Sequence, residues 1–80
     1  MIQCQCINKI LADKDASFLT LNNLTEDFFS DYQKEFRYIR DHIQQYGNVP
    51  DTESFLAEFP QFDILTVNES SRYLLDELYK

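Results

Sequence analysis

The chain has 80 residues and 44% hydrophobic side chains, with 14 acidic against 7 basic residues and a net charge of −7 at pH 7. That length suits one domain, and seven Phe with five Tyr exclude an intrinsically disordered segment. A single Gly excludes P-loop and dinucleotide fingerprints, and the acidic excess opposes direct contact with nucleic acid or anionic membranes.

One Gly and two Pro also leave few residues for the tight turns of an all-β fold, so helices joined by short links are expected. No apolar run reaches the roughly 18 residues of a membrane span. The start, Met1-Ile2-Gln3-Cys4, lacks the basic and apolar regions of a secretory signal. A cytoplasmic protein is the expectation.

The first predicted helix runs from Ile2 to Ala12, with Ile7, Ile10 and Leu11 on one buried face and Ile2 and Cys6 near it. Cys4 and Cys6 lie about 200° apart around such a helix and cannot join in a disulfide there. They read as small, reduced, partly buried side chains. With His42 the only histidine and no third thiol, a metal site of four N or S ligands is not expected. Asp13-Lys14-Asp15 forms a charged connection, and Ala16 to Leu24 reads as a helical turn followed by an extended stretch packed on the core.

The longest predicted element is one helix from Thr25 to Tyr46. Thr25 caps it, and Glu26 and Asp27 place negative charge where the helix dipole favours it. Leu24 and Phe29 fit a hydrophobic staple across the cap. Phe29, Tyr32, Phe36, Ile39, Ile43 and Tyr46 fall within an arc of about 100°, the width of a core-facing stripe. Gly47 follows where a helix terminator belongs. Such a helix would be about 33 Å long, against a radius of gyration of about 12 Å for a chain of this size. It is the expected centre of the fold.

Pro50 sets Val49 extended, and Asp51 or Thr52 caps a helix with Phe55, Leu56 and Phe59 on its apolar edge and Pro60 at its end. Phe62, Ile64, Leu65 and Val67 form an apolar loop. Asn68 or Ser70 then caps a last helix bearing Leu74, Leu75 and Leu78. No cap, Gly or Pro closes it before Lys80, which suggests a segment of a longer protein. The expected architecture is a single all-α domain over residues 1–80, a small orthogonal bundle of about four to five helices around one long central helix.

No catalytic constellation emerges. His42 lies about 80° from the centre of the long stripe and has no nucleophile partner, so it reads as a structural boundary residue. The pairs Glu26-Asp27 and Asp76-Glu77 read as solvated charges, and Ser70 and Ser71 as capping residues. Tyr38 projects about 120° from the stripe centre, exposed beside Lys34, Asp41 and Gln45. Tyr73 and Tyr79 flank the leucine face of the last helix. Tyrosines are enriched in interfaces, so Tyr38, Tyr73 and Tyr79, with Lys34 and Asp41, are the candidate protein contacts.

The stretch Glu35-Phe36-Arg37-Tyr38-Ile39-Arg40-Asp41-His42, followed by Tyr46-Gly47-Asn48-Val49-Pro50-Asp51, resembles the N-terminal domain of DnaB-type replicative helicases, closest to phage-like members. The likeness extends from Ile2 to Leu78 through Leu21 to Leu24, Glu26-Asp27-Phe28, Phe59-Pro60-Gln61-Phe62, Glu69-Ser70 and Tyr73-Leu74. Its motifs are packing and turn signals. The resemblance implies a non-catalytic domain of a hexameric collar, contacting other helicase subunits and a primase or helicase loader. It places a helical hairpin and an ATPase domain using ATP and Mg downstream. No cofactor is implied for the 80 residues themselves. Two alternatives follow from composition and pattern: a free-standing acidic helical adaptor or inhibitor that mimics DNA, and a helix-turn-helix DNA binder, which would show salt-dependent affinity.

Overall fold

Helix α1, Ile2–Asp13, forms the middle of the molecule in the computed structural model, which describes residues 1–80. It is followed by α2 (Ala16–Thr20), a 3₁₀ turn (Glu26–Phe29), α3 (Gln33–Tyr46), α4 (Thr52–Glu58) and α5 (Ser71–Leu78). The fold is all-α, with extents of 30 × 24 × 22 Å and a radius of gyration of 11.4 Å. No helix is long and apolar enough to cross a membrane.

The centre is α1, not the long helix expected from the stripe. Cys4, Cys6, Ile7, Asn8, Ile10 and Leu11 of α1 are buried, against only Phe36 and Ile39 of α3. At 100° per residue those α1 positions cover an arc of about 200°, twice the width of a single core-facing stripe. Helices α2 and α5 pack on α1, and the extended segment after α4 is bonded to it through Asn8. Both cysteines are therefore buried rather than partly so, Cys4 towards the Asp63 carbonyl and Cys6 towards the Leu74 carbonyl. Burial pushes the Cys6 thiol up to about 12, which keeps it protonated and unreactive near neutral pH.

The helix expected from Thr25 to Tyr46 is broken at Ser30-Asp31-Tyr32. Thr25 does act as a cap, its hydroxyl accepting from the Asp27 amide, but of the short 3₁₀ turn. A continuous α-helix would give the Asp31 N–H to the Asp27 carbonyl. Instead it donates to Oε1 of Gln3 at 2.9 Å, and Gln3 Nε2 reaches the Ser30 hydroxyl at 3.3 Å. The break also brings Phe29 and Phe36 together, with ring centroids 4.8 Å apart and planes at 21°. On one straight helix their backbones would be separated by about 10.5 Å along the axis, two full turns. Arg37 pairs with Glu26 at 2.6 Å across the break.

Helix α3 is thus 14 residues, about 21 Å long. Of the six stripe residues, Phe29, Phe36 and Ile39 are buried, Tyr32 and Ile43 are half-buried, and Tyr46 is 63% exposed. No other element covers α3 at Tyr46, whose ring instead lies 4.8 Å from that of His42.

Gly47 ends α3 in the left-handed region at φ 81°, its amide bonded to the Ile43 carbonyl. Val49 and Pro50 are buried, and Asp51 starts α4. An alanine Cβ at Gly47 would meet nothing within 4 Å, so only backbone conformation opposes it. Gly47→Ala is expected to cost about 1–2 kcal/mol, the left-handed penalty for an L-residue, in urea unfolding followed by circular dichroism.

Ser70, one of the two expected caps, starts α5 by accepting from the Tyr73 amide, and Leu74 is fully buried against α1. In the apolar loop Phe62 is buried, Leu65 and Val67 are half-buried, and Ile64 is 49% exposed.

Candidate docking surfaces

Tyr38 was expected to stand clear of the core. It is half-buried, because α4 packs beside it. Its ring meets Phe59 edge-on at 5.6 Å and 87°, and Phe55 at 6.1 Å and 66°. The covered side of α3 thus extends from Phe36 and Ile39 round to Tyr38. Tyr38→Ala is accordingly expected to cost about 2 kcal/mol, roughly half of what a fully buried aromatic loses. No hydrogen bond holds the Tyr38 hydroxyl, so Tyr38→Phe should leave the urea midpoint unchanged. A Tyr38→Ala midpoint equal to wild type would place the ring outside the core.

Around Tyr38 runs a row of rings along α3. The Tyr38 and His42 centroids are 6.5 Å apart, and those of His42 and Tyr46 4.8 Å. With Asp41 and Gln45 these residues line a shallow cleft of about 330 Å³. His42 Nδ1 lies 2.7 Å from the Asn48 carbonyl oxygen and, protonated there, donates to it. That bond fixes the ring and ties the chain beyond Gly47 back to α3. It is the structural role read for His42. Asp41 is exposed and pairs with Arg40, while Lys34 is exposed and makes no ion pair.

The other two candidate tyrosines lie elsewhere. Tyr79, 51% exposed, meets Phe28 edge-on at 5.5 Å, and its hydroxyl donates to the Asn22 carbonyl at 3.4 Å. Tyr73 is 47% exposed on α5. Neither shares a ring contact with Tyr38, so the three do not form one aromatic patch.

A second cleft, about 310 Å³, was not foreseen as a unit. One wall is the start of α3, with Tyr32 and Glu35. The other is the segment leaving α4, with Glu58, Phe59, Phe62 and Asp63. Phe59 and Phe62 are brought round Pro60 by a turn in which the Phe62 amide donates to the Phe59 carbonyl at 3.0 Å. Tyr32 meets Phe62 edge-on at 5.6 Å, and Phe62 in turn meets Phe55 at 5.0 Å. The neighbouring Cys4 thiol, with burial, holds the Tyr32 phenol above its ordinary pKa. The sequence signal was the Phe59-Pro60-Gln61-Phe62 run between Glu58 and Asp63. What hid the cleft was the helix break, which moves Tyr32 to the cap of α3.

No group of three His, Cys, Asp or Glu side chains converges in a way that could hold a metal ion. Six ion pairs engage every cation except Lys34. Lys14 beside Asp51 holds that carboxyl below its ordinary range. The resulting small stabilisation is present above the unfolded carboxylate pKa and is lost as pH falls through the folded one.

No family model, curated protein or solved structure matches this chain.

Proposed function

We propose that this chain is a non-catalytic assembly and partner-docking module of the kind found at the N-terminus of DnaB-type replicative helicases. It would belong to a longer protein that unwinds DNA with ATP and Mg. Its partners would be other helicase subunits in a collar, and a primase or helicase loader. The observation that carries this reading is the segment Glu35 to Asp51. There the residues that resemble the helicase family form one geometric unit, with α3 ending at Gly47 and α4 starting after a buried Pro50. The acidic surface supports the same reading, because a module of net charge −7 meets proteins more readily than DNA.

The parent reading frame should carry a G-x-x-x-x-G-K-[ST] motif beyond Lys80. A stop codon directly after Lys80, with no ATPase downstream, overturns the proposal. Light scattering of the 80-residue chain beside one extended through the expected hairpin should show the longer chain in the larger assembly. No gel shift with duplex DNA is expected near physiological salt, and a clear one would favour the helix-turn-helix alternative.

A further inference from the structure

The cleft between the start of α3 and the segment leaving α4 joins aromatic and acidic residues to which the helicase reading gives no common role. Its aromatic surface comes from Tyr32 and Phe59, both half-buried, over a floor made by Phe62, which is 9% exposed. Around it stand Glu35, Glu58 and Asp63, and none of these carboxylates takes part in an ion pair. No Lys, Arg or His lines the cleft. Three like charges therefore face one small aromatic hollow, and Lys34, the one side-chain cation without an ion pair, is not among the residues that line it.

The hollow is also held in shape from behind. Asn8 of α1 donates to the Asp63 carbonyl at 3.0 Å and accepts from the Leu65 amide at 2.9 Å, and the Cys4 thiol reaches the same Asp63 carbonyl. The backbone at Asp63 is thus anchored to the most buried helix, so that wall of the cleft is formed before a ligand arrives.

We infer that this cleft receives an arginine side chain from a basic segment of a partner protein. The match is chemical. A guanidinium is planar and weakly hydrated, stacks on aromatic faces, and bonds carboxylates through a fixed fork of N–H donors. A lysine ammonium supplies charge without the plane. A volume near 310 Å³ admits one such side chain rather than a folded element. The inference does not rest on the helicase reading: an adaptor with no downstream ATPase would carry the same cleft.

The test is a titration of the ¹⁵N-labelled 80-residue chain with capped hexa-arginine, and separately with capped hexa-lysine, at low and physiological salt. The largest amide shifts are expected at Tyr32 to Glu35 and Glu58 to Asp63, with hexa-arginine binding at least threefold more tightly than hexa-lysine. The triple variant Glu35→Gln, Glu58→Gln, Asp63→Asn should weaken hexa-arginine at least tenfold while keeping its amide spectrum dispersed. A charge-matched control, Asp31→Asn, Glu53→Gln, Glu69→Gln, should weaken it less than threefold. Equal losses in the two variants, or shifts spread over the whole acidic surface, would overturn the site. Equal affinity for the two peptides would overturn arginine as the ligand. Concentration-dependent shifts of the same amides without peptide would give the cleft to a second copy of the chain.

Discussion

Phe36→Ala is expected to lower the unfolding free energy by about 3–5 kcal/mol, the range for truncating a fully buried Phe. The ring has no solvent exposure and stacks on Phe29 at 4.8 Å, with the Arg40 guanidinium 5.9 Å from its centroid. It joins α3 to the 3₁₀ turn, the contact that the helix break makes possible. Chains of this length are typically stable by only about 4–12 kcal/mol, so the variant would sit close to unfolding. The corresponding fall in Tm is about 12 °C or more for a domain of this size. Phe36→Leu, which retains most of the apolar volume, should recover over half of the loss. A double-mutant cycle with Phe29→Ala should give a coupling of about 0.5–1.5 kcal/mol for the stacked pair. An unchanged melting temperature for Phe36→Ala would contradict the packing of α3 on that turn.

Asn8→Leu is expected to cost about 3 kcal/mol despite its similar branched shape, because its hydrogen bonds are spent on buried backbone. Asn8 is 3% exposed. Its amide donates to the carbonyls of Cys4 and Asp63, both at 3.0 Å, and its oxygen accepts from the Leu65 amide. A leucine would leave the Leu65 N–H without its side-chain partner and the Asp63 carbonyl with only the weak Cys4 thiol donor. Asn8→Asp separates the two halves of the clamp: an ionised carboxylate still accepts from Leu65 but cannot donate to Asp63. Burial and the facing carbonyl would raise the folded-state pKa of that aspartate above its unfolded value. Its folded state then binds more protons than the unfolded state between those two pKa values. The variant should therefore be least stable above the folded pKa and regain stability as pH falls through it. Urea midpoints between pH 4 and 7 read this directly, and a stability gap to wild type that widens as pH falls would refute the clamp.

The difference between α1 and α3 shows what kind of information the one-dimensional pattern carries. Ile7, Ile10 and Leu11, with Ile2 and Cys6 near them, marked a single face of α1, and the stripe gave no place to Asn8, so it read as a one-faced helix. Its central position follows from α2, α5 and the segment after Phe62 closing round it, the last two through contacts remote in sequence. In α3 the error ran the other way. Six aromatic and aliphatic residues at perfect helical spacing pointed to one long helix, yet Ser30 and Asp31, both prone to turns and caps, interrupt it. Gln3, some 28 residues earlier in the chain, supplies the bond that stabilises the break. Tyr38 and Tyr46 exchanged roles for the same reason: angle around a helix says which side a residue faces, and only a neighbouring element says whether that side is covered.

By itself the sequence determined the helical class, the bounds of α1 to within one residue, and the stop of α3 at Gly47 with α4 starting after Pro50. Those are local matters, decided by apolar spacing, cap chemistry and the need for a left-handed residue at Gly47. The tertiary structure alone decided which helix is central, where the Thr25–Tyr46 stretch breaks, and that Tyr32, Glu35 and Glu58 to Asp63 share one cleft. Each of these depends on bonds and contacts between residues far apart in the chain. The net charge of −7 was legible from composition; that three of the fourteen acidic residues meet at one aromatic hollow required the fold.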